Sequence, residues 1–301
     1  MLRRLATLAV TASLGLTALV ATPAQAAAPV WTGTVDWVAD GDTLRVDVHG
    51  DGTAALKSIR LIGIQAMEQT RYSPTPARRA GECHALAATA RVEQLVKAGG
   101  GKVRMTAVKA SSKSGDRPLR SVAVKINGKW QDIGLDLVRR GQALWLPFSG
   151  EWTWDQRYLA AAKAAAAEHR GLYDTDACGS GPAQNAGLTV TVSYDPAGTD
   201  AQNLNGEWIR VHNPSATAVS LAGWWVRDSA YRRYTFAKGA VVPAGGDVTV
   251  HVGTGRDTAT DKYWGLAQPI FTNVDPANHG YGDGGYLFDP RGDLRAWKIY
   301  P

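Results

Sequence analysis

The sequence predicts two domains of different class: a small closed β-barrel carrying helices, then an all-β sandwich. Three observations lead there. The chain has 301 residues, twice the typical domain of about 150. Between residues 31 and 173, segments with strand and helix patterns follow in the order strands, helix, strands, helix, helix, which suits a barrel with helices packed on it. Beyond residue 188 helical periodicity stops, and short strands separated by Pro, Gly, Asn and Asp take over, as in a sandwich.

The elements follow in order. Trp31 to Val48 reads as strands, with Thr43 to Val48 alternating apolar and polar, and Ile59 to Ile64 as another. Gly81 to Lys97 is a helix whose Leu86, Val92, Leu95 and Val96 share a face, ended by Gly99-Gly100-Gly101. Val103 to Lys109 and Val122 to Ile126 are strands. Leu135 to Arg140 is a short helix closed by Gly141, and Trp152 to Arg170 an alanine-rich one stopped by Gly171. In the second half the strands are Leu188–Ser193, Glu207–His212, Gly223–Arg227, Tyr234–Phe236, Val248–Val252 and Gly285–Phe288.

At the N-terminus Arg3 and Arg4 precede an apolar run, Leu5 to Val20, and then Ala24-Gln25-Ala26. Charge, short apolar segment and small-residue site together read as a secretion signal spanning 1–26. The expected organisation is therefore a signal at 1–26, a barrel at 27–175, a linker at 176–187 and a sandwich at 188–301, exported and without a membrane span in the mature chain. Export makes a disulfide between the two cysteines, Cys83 and Cys178, an expectation; two free thiols are the alternative. The formal net charge of +6 favours anionic partners and also simply keeps an exported protein soluble. The six histidines lack H-E-x-x-H spacing, and no G-x-S-x-G elbow, P-loop or dinucleotide fingerprint occurs, which argues against a zinc hydrolase, a serine hydrolase and nucleotide-cofactor chemistry.

Asp40-Gly41-Asp42-Thr43 places two carboxylates around a glycine at a strand entrance. Alone, this is an ordinary tight turn. Downstream come Arg60-Leu61-Ile62-Gly63-Ile64-Gln65-Ala66-Met67-Glu68, Gly81-Glu82-Cys83, Arg117-Pro118-Leu119-Arg120, Leu137-Val138-Arg139-Arg140-Gly141-Gln142-Ala143, and a helix ending Arg170-Gly171-Leu172-Tyr173. In this order and spacing the segment from about Val35 to Tyr173 resembles the staphylococcal nuclease (thermonuclease) family. The resemblance implies a five-stranded OB-fold barrel with three helices, and hydrolysis of DNA or RNA phosphodiesters, commonly with Ca2+. It implies Asp42 as a metal ligand, Arg60 and Arg117 as guanidinium groups on the phosphate, and Glu68 as general base or water-positioning group. Arg120 is a fallback for Arg117. Arg78, Arg79, Lys113 and Arg120 read either as a basic surface for nucleic acid or as a solvated positive face. Such residue types suit the chemistry, because attack on a phosphodiester builds negative charge that guanidinium groups stabilise, while a carboxylate handles the water. Taken singly, Asp42 reads equally as a turn former, Arg60 as an ion-pair partner and Glu68 as a solvated loop residue.

The sequence departs from that family after the Arg60 strand. Gln65 and Ala66 stand where the family has the Asp and Thr that help hold calcium, so that as metal ligands Gln65 would offer a neutral carbonyl oxygen and Ala66 its backbone carbonyl; Met67 replaces a proline. With one negative charge fewer, the resemblance implies weaker calcium binding, a different divalent ion or none. A second reading follows: a non-catalytic, extracellular polyanion-binding protein with a degenerate nuclease site.

From about Leu188, Asn205-Gly206-Glu207-Trp208-Ile209-Arg210-Val211-His212-Asn213-Pro214, Leu221-Ala222-Gly223-Trp224-Trp225-Val226-Arg227-Asp228 and Gly285-Tyr286-Leu287-Phe288-Asp289 resemble the lamin tail domain, an immunoglobulin-like sandwich. Most of Trp208, Trp224, Trp225, Trp264 and Trp297 are expected in its core, and Asp275, Asp283 and Asp289 in turns. The sequence names no ligand for this domain.

Overall fold

The computed structural model describes residues 28–79, 81–178 and 186–301. The expected secretion signal at 1–26 and residues 179–185 of the expected linker lie outside the described residues. Among the described residues no helix is long and apolar enough to cross a membrane.

The N-terminal half runs β1 (Val30–Val38), β2 (Thr43–Val48), β3 (Lys57–Leu61), β4 (Ile64–Ala66), α1 (Ala85–Ala98), β5 (Lys102–Thr106), β6 (Lys113–Ser114), β7 (Arg117–Ile126), β8 (Lys129–Asp132), α2 (Ile133–Arg139), β9 (Ala143–Trp145) and α3 (Asp155–Ala167). Strands pair in the order β3-β2-β1-β5-β7. A parallel pairing of β3 with β7, Arg60 opposite Leu119 and Leu61 opposite Arg120, closes the barrel. This is the five-stranded barrel with three helices that the sequence predicts. Closure leaves no open edge among these five strands, and it sets Arg60 and Arg120 on adjacent, hydrogen-bonded strands.

The strand expected from Ile59 to Ile64 breaks in two, because Gly63 turns at φ +76° and a Cβ there would come within 2.9 Å of the Tyr158 ring. The chain then leaves the barrel as β4, pairing with β9. The first long helix starts at Ala85 rather than Gly81, because Gly81 and His84 hold left-handed backbone conformations (φ +69° and +64°) that a helix cannot include. Ala85, Ala88, Thr89, Val92, Leu95 and Val96 form its buried face, while Leu86 is exposed. Asp132 caps α2 by accepting from the Leu135 N–H (3.0 Å), and it also accepts from the Tyr158 hydroxyl (2.7 Å), tying α2 to α3.

The C-terminal half is all β: β10 (Thr189–Ser193), β11 (Trp208–His212), β12 (Val219–Ser220), β13 (Trp225–Arg227), β14 (Arg233–Thr235), β15 (Val241–Val242), β16 (Asp247–His251), β17 (Asp261–Tyr263), β18 (Val274–Asp275), β19 (Gly280–Tyr281), β20 (Asp283–Phe288) and β21 (Leu294–Tyr300). Two four-stranded sheets, β10-β11-β16-β17 and β14-β13-β20-β21, enclose a core that includes Ile209, Val211, Trp224, Val226, Phe236, Val248 and Leu287. Trp224 and Trp225 are buried, whereas Trp208, Trp264 and Trp297 are half-buried. The last strand, β21, has no counterpart in the sequence reading. Its pattern, Leu-Arg-Ala-Trp-Lys-Ile-Tyr, alternates only partly and follows an Asp-rich turn.

The two halves share a core. Trp225, Tyr286, Phe288, Leu294 and Ile299 of the sandwich are continuous with the apolar residues of the barrel side. Around them, Trp297 meets Tyr173 edge-on at 5.1 Å, and Trp152 stacks on His279 at 3.9 Å. Cys83 and Cys178 are joined, with Cα atoms 5.9 Å apart. Asp293 of the sandwich accepts from the Cys178 N–H (2.8 Å), so the bridge sits in the seam.

Because the bridge closes a loop across a sequence separation of 95 residues, replacing both cysteines by serine is expected to lower unfolding stability by about 3–4 kcal/mol. The urea midpoint at constant m-value checks this; an unchanged midpoint would show that the seam holds without it.

Candidate active site

The site is built at the mouth of the barrel, where β1 turns into β2 and β3 ends. Gly41 is required there because a Cβ would lie 2.6 Å from the Ala66 Cβ and 2.8 Å from the Ala88 Cβ. The turn therefore packs flat against β4 and α1. Within it, Asp40 Oδ1 accepts from the Asp42 N–H (2.9 Å), an Asx turn that orients the second carboxylate.

Asp42 is buried and fully engaged. Its Oδ2 accepts from the Ala66 N–H (2.8 Å) and lies 3.2 Å from Arg60 Nη2, while its Oδ1 accepts from the Thr43 hydroxyl (3.1 Å). Arg60 is 5% exposed. It donates to the Leu61 carbonyl (3.0 Å) and to Gln65 Oε1 (2.8 Å). A guanidinium has five N–H donors, so donors remain for a ligand on the side where Arg60 lines a pocket of about 100 Å³ with Leu61, Lys113, Leu119 and Phe148. Arg117 is half-buried and donates to Thr43 Oγ1 (3.2 Å). Thr43 thus links the second guanidinium to Asp42.

Glu68 follows β4, half-buried. Burial, and then the carboxylates of Asp42, Asp40 and Glu82, push its carboxyl up to about 6, against the opposing pull of Arg60. Burial, and then Asp42, likewise raise Asp40. The Glu68 backbone is clamped by Glu82: the Glu68 N–H donates to Glu82 Oε2 (3.0 Å), and the Glu82 N–H donates to the Glu68 carbonyl (2.9 Å). The other oxygen of Glu82 faces Arg233 Nη1 of the sandwich at 3.6 Å.

The structure thus gathers Asp42, Arg60, Gln65, Ala66, Glu68 and Arg117 in one place. Lys113 is exposed at the pocket rim. Arg78 and Arg79 are exposed in the loop between Glu68 and Glu82. Arg120 does not belong with them. It is buried, its guanidinium lies 4.0 Å from the Trp31 ring, and it donates to the carbonyls of Leu119, Ser112 and Ala110. Its place on β7, three residues beyond Arg117, turns it to a different pocket from the one Arg60 lines. It is a structural residue, neither the second phosphate ligand nor part of a basic surface. Asp40, Thr43 and Glu82 are site residues that the sequence reading left without a role. Asp40 and Thr43 stand inside the D-G-D-T signature, whereas Glu82 joins the site by a contact 14 residues long-range that no local pattern announces.

The oxygens expected to hold calcium already accept hydrogen bonds within the site. Calcium takes about six to eight oxygens. Both Asp42 oxygens are engaged, Gln65 Oε1 accepts from Arg60, and the Ala66 carbonyl accepts from Gln65 Nε2 (3.1 Å). Gln65 therefore serves as a neutral holder of Arg60. Among the described residues, three His, Cys, Asp or Glu ligand atoms come within 4.8 Å of one another at Cys83, His84 and Cys178, where the two sulfurs are already bonded to each other.

Asp42→Asn removes the countercharge of a buried guanidinium. It is expected to cost about 3 kcal/mol or more of stability, against about 1 kcal/mol for Gln65→Ala, which removes one hydrogen-bond acceptor. Urea titration of both variants tests the order; equal costs would show that Asp42 carries no special charge balance.

Residues 182–300 match the family model described as Lamin Tail Domain, in agreement with the sandwich seen there. No curated protein matches the chain. The protein is thus a five-stranded barrel bearing an acidic, arginine-lined site, joined to a lamin tail domain.

Proposed function

We propose that the protein is an exported phosphodiesterase acting on DNA or RNA, with the barrel mouth as its active site. The observation that carries this is the grouping of two guanidinium groups, Arg60 and Arg117, with a raised carboxyl, Glu68, around one buried turn. Arg60 and Arg117 bind the phosphate and neutralise the charge that grows on it. Glu68 takes a proton from water as the water oxygen bonds to phosphorus; the ester P–O bond then breaks, and its oxygen takes a proton from solvent. Burial fits Glu68 for this, since a base works best with a pKa near the working pH. The pocket beside Arg60, with Leu61 and Phe148 in its wall, receives the adjoining sugar or base. The disulfide supports an oxidising compartment.

A second reading, binding of a polyanion without turnover, is favoured by the engaged oxygens of Asp42, Gln65 and Ala66.

Hydrolysis of labelled DNA and RNA by the disulfide-intact protein, with calcium, with magnesium and with a chelator, separates the two. Glu68→Gln and Arg117→Ala are each expected to lower kcat/KM by about 100-fold or more. The wild-type rate should climb with pH to a midpoint near 6, because Glu68 acts only when deprotonated and its carboxyl stands at about 6. Asp40→Asn should move that midpoint down by removing a like charge. Binding without cleavage in all three conditions would establish the second reading.

A further inference from the structure

Three segments distant in sequence meet at the Cys83–Cys178 bridge, and they bring more than two sulfurs. Cys83 and His84 stand just before α1, Cys178 ends the described part of the barrel half, and Asp293 lies in the turn before β21. Among the described residues, both sulfurs and a ring nitrogen of His84 lie within 4.8 Å of one another. Asp293 Oδ1 comes 3.8 Å from Cys83 Sγ and accepts from the Cys178 N–H (2.8 Å). A disulfide needs only two cysteines whose backbones are near each other. It has no use for an imidazole and a carboxylate at its side, and a bonded sulfur has no S–H to donate to Asp293.

Two polar atoms at this place are left over. His84 Nε2 and Asp293 Oδ2 are buried and make no hydrogen bond. A buried polar atom without a partner costs stability, so native structures rarely leave one without a reason. The contrast with His251 is direct: there Nδ1 bonds the Asn205 carbonyl (2.8 Å) and Nε2 bonds Asp261 (3.2 Å). An imidazole nitrogen with no hydrogen bond, beside two sulfurs, is in the state of a metal ligand awaiting its metal.

We infer that reduction converts the bridge into a zinc site, in which Cys83, Cys178 and His84 bind one Zn2+ and Asp293 fills the fourth position. Cys178 is exposed, so a small dithiol reaches the bond. The dithiol breaks the S–S bond: its own sulfurs pair with each other, and two electrons and two protons pass to Cys83 and Cys178. Zn2+ then bonds both sulfurs, and the two thiol protons leave to the buffer. Thiolate, imidazole and carboxylate are the donors that zinc takes, four at a time in a tetrahedron. Calcium and magnesium, which need oxygens, gain nothing from the sulfurs. With zinc–sulfur bonds of about 2.3 Å, two thiolates on a tetrahedral zinc stand about 3.8 Å apart. Cysteines whose Cα atoms are 5.9 Å apart reach that separation by turning their side chains. Disulfide and zinc are thus alternative clamps on one seam, the first serving in an oxidising medium and the second in a reducing one. The inference needs nothing from the proposed hydrolysis.

Cobalt is the probe, because Co2+ takes the same donors and its tetrahedral thiolate complexes absorb visible light. The full chain is reduced with a phosphine, which takes up the oxygen of a water as it leaves two thiols and which competes for metal less than a dithiol does. Reduced wild type, titrated with Co2+, is expected to develop thiolate-to-cobalt and tetrahedral ligand-field bands that saturate at one ion per chain. One Zn2+ per chain should then bleach them, whereas calcium should not. The disulfide form should show no such bands, nor should Cys83→Ser with Cys178→Ser. His84→Asn keeps a residue that tolerates the left-handed backbone there, φ +64°. It and Asp293→Asn should each weaken binding by about 10-fold or more. Zinc should also raise the urea midpoint of the reduced protein and leave that of the disulfide form unchanged. Absence of the bands in reduced, folded protein, equal bands in the disulfide form, or wild-type affinity in either single variant would overturn the site. If reduction alone unfolds the chain, refolding in phosphine with one Zn2+ per chain must restore the cooperative urea transition, and failure to do so overturns the site as well.

Discussion

The constraint on which the site depends is the burial of one guanidinium. Arg60 stands 5% exposed at the end of β3, and a charge taken out of water must be paired and hydrogen-bonded in place. Asp42 supplies the countercharge, and Gln65 and the Leu61 carbonyl take donors. Each partner imposes a condition of its own. Asp42 reaches Arg60 only because Gly41 lets the turn sit against Ala66 and Ala88. Gln65 reaches it only because Gly63 bends the chain from β3 into β4. The same bend delivers Glu68 to the rim three residues after Gln65. Removing the arginine would thus take away the reason for the turn, the break and the position of the carboxylate together.

The sandwich completes this arrangement from outside. The loop carrying Glu68, Tyr72, Arg78 and Arg79 is long and would be loose by itself. Its far end is held by the Cys83–Cys178 bridge and by Arg233 facing Glu82. Arg233 is itself laid over Trp225, 4.8 Å from the ring centre, and Trp225 stacks on Phe288 at 4.0 Å in the shared core. A rigid element therefore supports each contact to the loop, which is what a functional loop needs in order to hold a geometry. The sandwich thus braces the loop beside the barrel site through Arg233 and the disulfide.

Much of this was legible in the sequence, and the illegible parts share a cause. The barrel order and the D-G-D-T turn rest on local patterns, while the gathering of Arg60, Glu68 and Arg117 is what the resemblance to the staphylococcal nuclease family implies. The choice between Arg117 and Arg120 rests on neither. Both lie on one strand three residues apart, and only the closure of β3 on β7 and the ring of Trp31 decide that Arg120 turns to a different pocket. Glu82 and Arg233 were invisible because their role is a contact between segments that composition and periodicity treat as unrelated. The helix boundary at Ala85 was misread because the left-handed turns at Gly81 and His84 serve the Glu68–Glu82 clamp, a tertiary demand that overrides local propensity. Gln65 is the instructive case. The sequence shows a lost carboxylate, and only the structure shows that the amide gained an occupation, holding Arg60.

That substitution changes the electrostatic logic of the site. A carboxylate at position 65 would compete with Asp42 for Arg60 and add a like charge to a cluster that already holds Asp40, Asp42, Glu68 and Glu82. The present arrangement pushes Glu68 up to about 6, with Arg60 as the opposing influence. A further negative charge nearby would raise it more and leave less of the base form at neutral pH. A neutral amide instead keeps Arg60 fixed without that penalty. The raised carboxyl has a cost in stability: its folded pKa lies above the unfolded value, so its contribution is full below about pH 4 and is lost as pH rises through about 6. The site is therefore least stable where Glu68 is ionised. The covalent bridge and the shared core stabilise the fold independently of that titration.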